Sequence, residues 1–168
     1  AGAQVVYGVV GLKTHAKVAL VIRREEGALR FYAHLGTGNY HPTTTKLYTD
    51  FGLLTANQDL AVEVNEVFIH LTSLTKPHNL NHLWLAPFGL QSEIIKAIRN
   101  EAKIARAGRR GRIIVKVNAL VDESVIRALY AASTDGVKID LIVRGACTLK
   151  PGVPGLSENI KVRSVIGR

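Results

Sequence analysis

The sequence predicts an α/β chain in two portions, each a mixed sheet covered by helices, and three observations carry that prediction. Residues 16–34 alternate apolar and polar around Arg24-Glu25-Glu26-Gly27, which is how a half-buried hairpin reads. Leu60, Val64, Val67, Phe68 and Leu71 then recur at helical spacing. From Arg112 onward a strand, a capped helix and a second strand follow one another as a βαβ unit. The polar, proline-broken run Thr75-Lys76-Pro77-His78-Asn79-Leu80-Asn81-His82 separates the two patterns, so the boundary is placed there, giving portions 1–76 and 77–168.

Taken in order, Gln4 to Val10 reads as a first strand. In the hairpin, Ala16, Val18, Leu20 and Ile22 share one face, while His15 and Lys17 begin the other. Beyond the turn, Leu29, Phe31 and Ala33 oppose Arg30, Tyr32 and His34. An even loop puts His34 beside Lys17, with His15 facing the Gly36 turn; an odd loop reverses this. His41 to Asp50 is a loop or a short helix start. Thr55-x-x-Gln58 has capping-box spacing and opens a helix from about Ala56 to Ser73, with His70 on its surface. Past the break, Trp84 to Pro87 reads as a short strand and Gln91 to Ala107 as a helix ended by Gly108, with Ile94, Ile98, Ala102 and Ala105 inward. Then come strand Ile113 to Val117, a cap at Asp122, helix Ser124 to Ser133 with Ile126 and Leu129 inside, and strand Val137 to Arg144. A proline-glycine loop leads to a last strand, Ile160 to Ile166.

Composition bounds what such a chain does. Its 168 residues are 47% hydrophobic and 21% charged, an ordinary globular balance, and no apolar run reaches the length of a membrane span. The net charge of +9 makes anions the expected partners: nucleic acid, an acidic membrane surface or an inorganic polyanion. The lone Cys147 excludes an internal disulfide, fits a reducing cytoplasm and reads as a small buried hydrophobe. With no methionine, the sequence reads as a piece of a longer chain. Lys103, Arg106, Arg109, Arg110 and Arg112 form the solvated, dipole-favoured end of a helix. His78 and His82 stand four apart, but with no carboxylate or cysteine near in sequence they read as loop histidines, not metal ligands.

The chemistry concentrates in Gly11-Leu12-Lys13-Thr14-His15-Ala16-Lys17 and His34-Leu35-Gly36-Thr37-Gly38-Asn39. A histidine serves as nucleophile or general acid, and a lysine on its face supplies fixed positive charge. Glycines at Gly36 and Gly38 let backbone N–H groups approach phosphate oxygens. The cluster suits phosphoryl transfer. In the second portion, Lys116, Asn118 and Arg144 lie at the carboxyl ends of parallel strands, where ligands bind in such sheets. Arg144 there reads either as a phosphate ligand or as half of a structural ion pair.

His15-x-Lys17 with Gly36-Thr37-x-Asn39 resembles the phosphotransfer signature of the phospholipase D type, although Ile22 stands where that pattern has an acidic residue. A fuller resemblance runs along nearly the whole chain. The two motifs above, extended to Tyr40, together with Leu47-Tyr48-Thr49-Asp50, Leu53-Leu54-Thr55-Ala56, Leu129-Tyr130-Ala131-Ala132-Ser133 and Leu141-Ile142-Val143-Arg144-Gly145, resemble the C-terminal part of the bacterial polyphosphate kinases. That resemblance implies two phospholipase D-like α/β domains, residues 1–76 being the second half of the first C-terminal catalytic domain and 77–168 the first part of the second. It implies reversible transfer of the terminal phosphate of ATP to inorganic polyphosphate through a phosphohistidine.

The resemblance makes His15 the nucleophile and His34 its helper, with Lys17 and Asn39 holding oxygens. It places Tyr48, Asp50 and Arg144 at the nucleotide, and Gly36 and Gly38 at the phosphates. From the residues alone, Tyr48 and Asp50 read rather as a packed tyrosine and a turn carboxylate. Mg²⁺ is implied as a companion of ATP, with no dedicated metal ligands in this stretch. ATP, ADP and polyphosphate are the implied partners, without specific nucleic acid, and the full-length enzyme is implied to be a cytoplasmic homo-oligomer, with peripheral membrane association open to it. The family's second histidine motif is not found between Gly145 and Arg168, so the isolated piece is expected to make little or no polyphosphate. Two other readings stand beside this one: a phospholipase D-type phosphodiesterase or nuclease, and a non-catalytic polyanion-binding module.

Overall fold

The computed structural model describes residues 2–77 and 80–165, which form two compact units meeting in sequence between Trp84 and Leu85. His78 lies outside the described residues. The α/β class holds in both units.

In the first unit β1 (Lys17–Glu25), β2 (Ala28–Gly36) and β3 (Gly52–Thr55) make an antiparallel sheet in the order β1-β2-β3. The hairpin turns on two residues, Glu26 and Gly27, since Glu25 pairs with Ala28. Both have positive φ, 50° and 81°, the primed-turn geometry that matches the twist of paired strands and that glycine adopts without cost. Period-two alternation then sets the core. Val18, Leu20, Phe31 and Leu35 pack around buried Ala33 against α2 (Gln58–Ser73), which contributes Ala61, Val64 and Phe68. A short α1 (Thr44–Leu47) precedes β3.

Three sequence expectations for this unit are corrected. Residues 4–10 form no strand; Tyr7 and Val10 are each 97% exposed, because no neighbouring strand pairs with them among the described residues. The cap of α2 is Asn57, whose side chain accepts from Leu60 N at 3.1 Å. Thr55 instead receives Asn57 N at 3.0 Å, and Gln58 reaches out of the helix to bind both the N–H and the carbonyl of Phe31, at 3.1 and 3.0 Å. His70 is buried, with Nδ1 2.8 Å from the carbonyl of Thr75, and so helps close the helix end. His82 is a loop histidine, as read, and its carboxylate partner is remote in sequence: Glu63, 19 residues away and 2.9 Å distant. Asn57→Ala is expected to cost about 1 kcal/mol, read as a lower urea midpoint for the first unit with the slope unchanged.

The second unit holds α3 (Leu90–Arg106), β4 (Arg112–Val117), α4 (Glu123–Thr134), β5 (Lys138–Val143) and β6 (Ile160–Arg163), its three strands parallel in the order β4-β5-β6. One sheet face carries Ile113, Ile139, Leu141, Val143 and Ile160 into a core with Ile98 and Ala102 of α3 and Ile126, Leu129 and Ala132 of α4. Asp122 caps α4 by accepting from Val125 N at 2.9 Å, and that bond first, with one from Gln91, holds its carboxyl below the usual range. Gly108, at φ 73°, closes α3. Residues 84–87 form no strand; 84 and 85 are irregular and a turn over 86–89 enters α3 through backbone bonds from Gly89 and Leu90 to the carbonyl of Leu85. Cys147 is half-buried beyond β5. Ile166 lies outside the described residues. No helix among the described residues is long and apolar enough to cross a membrane.

Candidate active site

Lys17 is the first residue of β1, and His15 stands two residues before it on an irregular approach. The even spacing brings their side chains together. Lys17 Nζ lies 3.1 Å from Nδ1 and 3.4 Å from Nε2 of His15, and donates at 2.5 Å to the carbonyl oxygen of the same residue. The backbone bond anchors the ammonium group. It is left beside the imidazole without being committed to one ring nitrogen, in a solvent-exposed position for His15 and a half-buried one for Lys17.

The register places the second histidine. Lys17 pairs with Gly36 and Ala19 with His34, so the two-residue turn puts His34 on the face of Lys17, and it is Lys17 rather than His15 that stands opposite Gly36. On the other side His34 pairs with Leu54 and Gly36 with Gly52. His34 is half-buried, and its Nδ1 is 2.6 Å from the hydroxyl of Tyr40, the rings tilted 43° with centroids 5.5 Å apart.

The glycine turn closes against the loop before β3. Thr37 Oγ1 donates to Asp50 Oδ1 at 2.9 Å and accepts from Phe51 N at 3.0 Å, while Thr37 N donates to the carbonyl of Phe51 at 3.0 Å. A Cβ on Gly38 would fall 2.1 Å from Asp50 Oδ2, so any side chain there would displace the carboxylate. Asn39 is exposed, with its carbonyl accepting from His41 N at 2.8 Å, and Tyr48, the C-cap of α1, is exposed as well. Of the residues singled out from the sequence, the fold thus joins His15 to Lys17, and Gly38 and Asp50 to one loop, with His34, Gly36 and Lys17 on adjoining positions of one sheet. Arg144 belongs to the second unit. There it follows β5 directly, and Gly145 N donates to the carbonyl of Asn118 at 2.7 Å, so Arg144 and Asn118 mark the carboxyl edge of the parallel sheet.

Among the described residues no three His, Cys, Asp or Glu side chains converge as a metal site would need. The described residues thus offer no ready cluster for the Mg²⁺ that the resemblance implies.

Comparison with known proteins gives the family. Residues 1–77 match the model of polyphosphate kinase C-terminal domain 1 and residues 83–168 that of C-terminal domain 2. This chain belongs to the polyphosphate kinase family. It is 59% identical over its whole length to a polyphosphate kinase of Neisseria meningitidis serogroup C, and 59% identical over 99% of its length to one of Burkholderia multivorans, covering 24% and 25% of those proteins. The solved structure of polyphosphate kinase from Porphyromonas gingivalis superposes with a TM-score of 0.84 at 40% identity, over 95% of this chain and 26% of that one. The chain thus spans about a quarter of the length of the kinases it matches.

Two features of this cluster are invisible to sequence reasoning. Tyr40 stands six residues from His34, a separation that no strand or helix period turns into contact. Thr37 and Asp50 are joined only because β2 and β3 bring their loops together. The sole local hint at the second is the glycine at 38, which marks a close approach without saying to what.

Proposed function

We propose that this chain is part of the catalytic C-terminal region of a polyphosphate kinase, in which His15 takes up the terminal phosphate of ATP and passes it to inorganic polyphosphate. The observation that carries the reading is the Lys17 ammonium held against both ring nitrogens of His15. In the first transfer the bond from the γ-phosphorus to the β,γ-bridging oxygen breaks, a phosphorus–nitrogen bond forms on His15 and ADP leaves. In the second that bond breaks as the terminal oxygen of polyphosphate attacks. Each is an in-line displacement whose charge spreads over equatorial oxygens, so the protein's contribution is positioning and fixed positive charge. Lys17 supplies charge at the imidazole, the amide of Asn39 and backbone N–H groups of Gly36 and Gly38 supply donors, and His34 hydrogen-bonds the phosphoryl group. Tyr48 and Asp50 serve the nucleotide end, and in the second unit Arg144 is carried as a nucleotide- or phosphate-binding residue. Mg²⁺ would enter with ATP. A cytoplasmic setting and a homo-oligomeric parent belong to the same reading.

The test is incubation of the longer parent enzyme with γ-labelled ATP. Acid-labile, base-stable label on the peptide carrying His15 is expected. Absence of label, or acid-stable label on a hydroxyl residue, overturns the reading. The 168 residues by themselves are expected to make little or no polyphosphate, since they span about a quarter of their relatives. Synthesis by the isolated chain would contradict that.

A further inference from the structure

The imidazole of His34 occupies a slot that three residues build. Gly36 and Gly52 are directly paired across β2 and β3, leaving the sheet without side chains at two adjacent positions. The ring fills that gap. A Cβ on Gly52 would come within 2.7 Å of Nε2, and one on Gly36 within 3.1 Å of Cε1. The third wall is Tyr40, whose hydroxyl meets Nδ1 at 2.6 Å. Each ring nitrogen therefore has a distinct environment: Nδ1 faces a phenol, and Nε2 faces backbone stripped of side chains.

We infer that Tyr40 is a positioning residue, donating its hydroxyl proton to His34 Nδ1 and so fixing Nε2 as the nitrogen that bears hydrogen. A phenol is a good donor and a neutral imidazole nitrogen a good acceptor, whereas a phenol oxygen accepts poorly, so the bond runs from Tyr40 to His34. The consequence is directional. With Nδ1 occupied, Nε2–H becomes the ring donor left to His34 for a phosphoryl oxygen, and no side chain on Gly36 or Gly52 stands against it. This last role rests on the phosphotransfer reading above; the tautomer itself does not. It also gives Gly52 a purpose, because a strand glycine without positive φ is otherwise a weak choice for a sheet.

The experiment is nitrogen NMR of the histidine rings in the 168-residue chain, in neutral imidazole, comparing wild type with Tyr40→Phe and Gly52→Ala. Wild-type His34 is expected to show one tautomer, hydrogen on Nε2, with Nδ1 shifted by an accepted hydrogen bond. Tyr40→Phe keeps the ring in its slot and removes that donor, so the Nδ1 resonance moves to the value of a free acceptor. Gly52→Ala places a methyl group against Nε2 and is expected to shift both nitrogens. A wild-type ring with hydrogen on Nδ1, or a Nδ1 resonance unmoved by Tyr40→Phe, overturns the assignment. In the parent enzyme Tyr40→Phe is expected to lower kcat about tenfold while leaving KM for ATP unchanged. Loss of KM instead, with the Nδ1 shift unmoved, would make Tyr40 a binding residue. The ring spectra do not depend on phosphorylation, so they decide the tautomer even if His15 never carries phosphate.

Discussion

Replacing His15 with alanine in the parent enzyme is expected to remove acid-labile labelling entirely and to lower polyphosphate synthesis by at least about 10³-fold. A covalent route divides one hard transfer into two easier ones, and without the nucleophile nothing else on this stretch can take its place. His34→Ala should behave differently. On the proposed mechanism His34 acts on a phosphoryl group that His15 has already engaged, so label is expected still to accumulate, at a rate lower by about 10²-fold, the scale of a single proton-donating group. Lys17→Ala should also retain the label and lose rate by about 10²-fold, since one well-placed charge or donor at a developing anion is worth that much. The three variants together separate nucleophile from supporting groups. Label surviving in His15→Ala and vanishing in His34→Ala would exchange the roles of the two histidines. Label persisting in both would remove the phosphohistidine and leave the chain's net charge of +9 to be explained by polyanion binding alone.

The hairpin and the βαβ unit were legible because their signals are local. Alternation from Val18 to Leu35 fixes which face is buried, and the two-residue turn at Glu26-Gly27 fixes the register. Asp122 and Gly108 punctuate the helices where expected. What failed to show was anything settled by partners far along the chain. The run Gln4 to Val10 has strand composition, yet composition supplies no neighbour to pair with. Thr55 and Gln58 have capping-box spacing, but Gln58 does more by binding the backbone of Phe31, 27 residues earlier. In the candidate site, His15 and Lys17 are two residues apart, so their proximity is local even though His15 precedes β1. The slot for His34 depends on Gly36 meeting Gly52, which no residue near either one announces.

Glu63→Ala is expected to be the most damaging single change to the first unit outside its apolar core, costing about 2–4 kcal/mol. Glu63 is 7% exposed and lies on α2, at a position the helical pattern does not assign to the core. It is buried because its carboxylate serves the returning chain: Oε1 accepts from Asn81 N at 2.8 Å, Oε2 from Leu83 N at 2.8 Å and from His82 N at 2.9 Å, and His82 Nδ1 lies 2.9 Å from Oε1. Alanine would leave three backbone donors without their acceptor, and each part-buried donor so stranded costs about 1–3 kcal/mol less whatever water recovers. Leu83, packed on the core beside α2, would loosen with them. Faster amide exchange confined to residues 81–83, along with a lower urea midpoint, is the expected signature; exchange unchanged there would show that the latch contributes nothing. Acid gives the same contact a second test. Burial pushes the Glu63 carboxyl up, but the N–H groups of Asn81, Leu83 and His82 with the His82 ring outweigh it and hold the group below its ordinary value of 4.5. A carboxyl lowered in the folded state binds its proton more weakly there than in the unfolded chain. Its contribution is therefore present above about pH 4.5 and fades as pH falls through the lower folded value. Wild type should lose stability along that limb, and Glu63→Gln, which cannot ionise, should start less stable and lose less. Equal acid slopes in the two proteins would show that some other carboxylate governs the acid response.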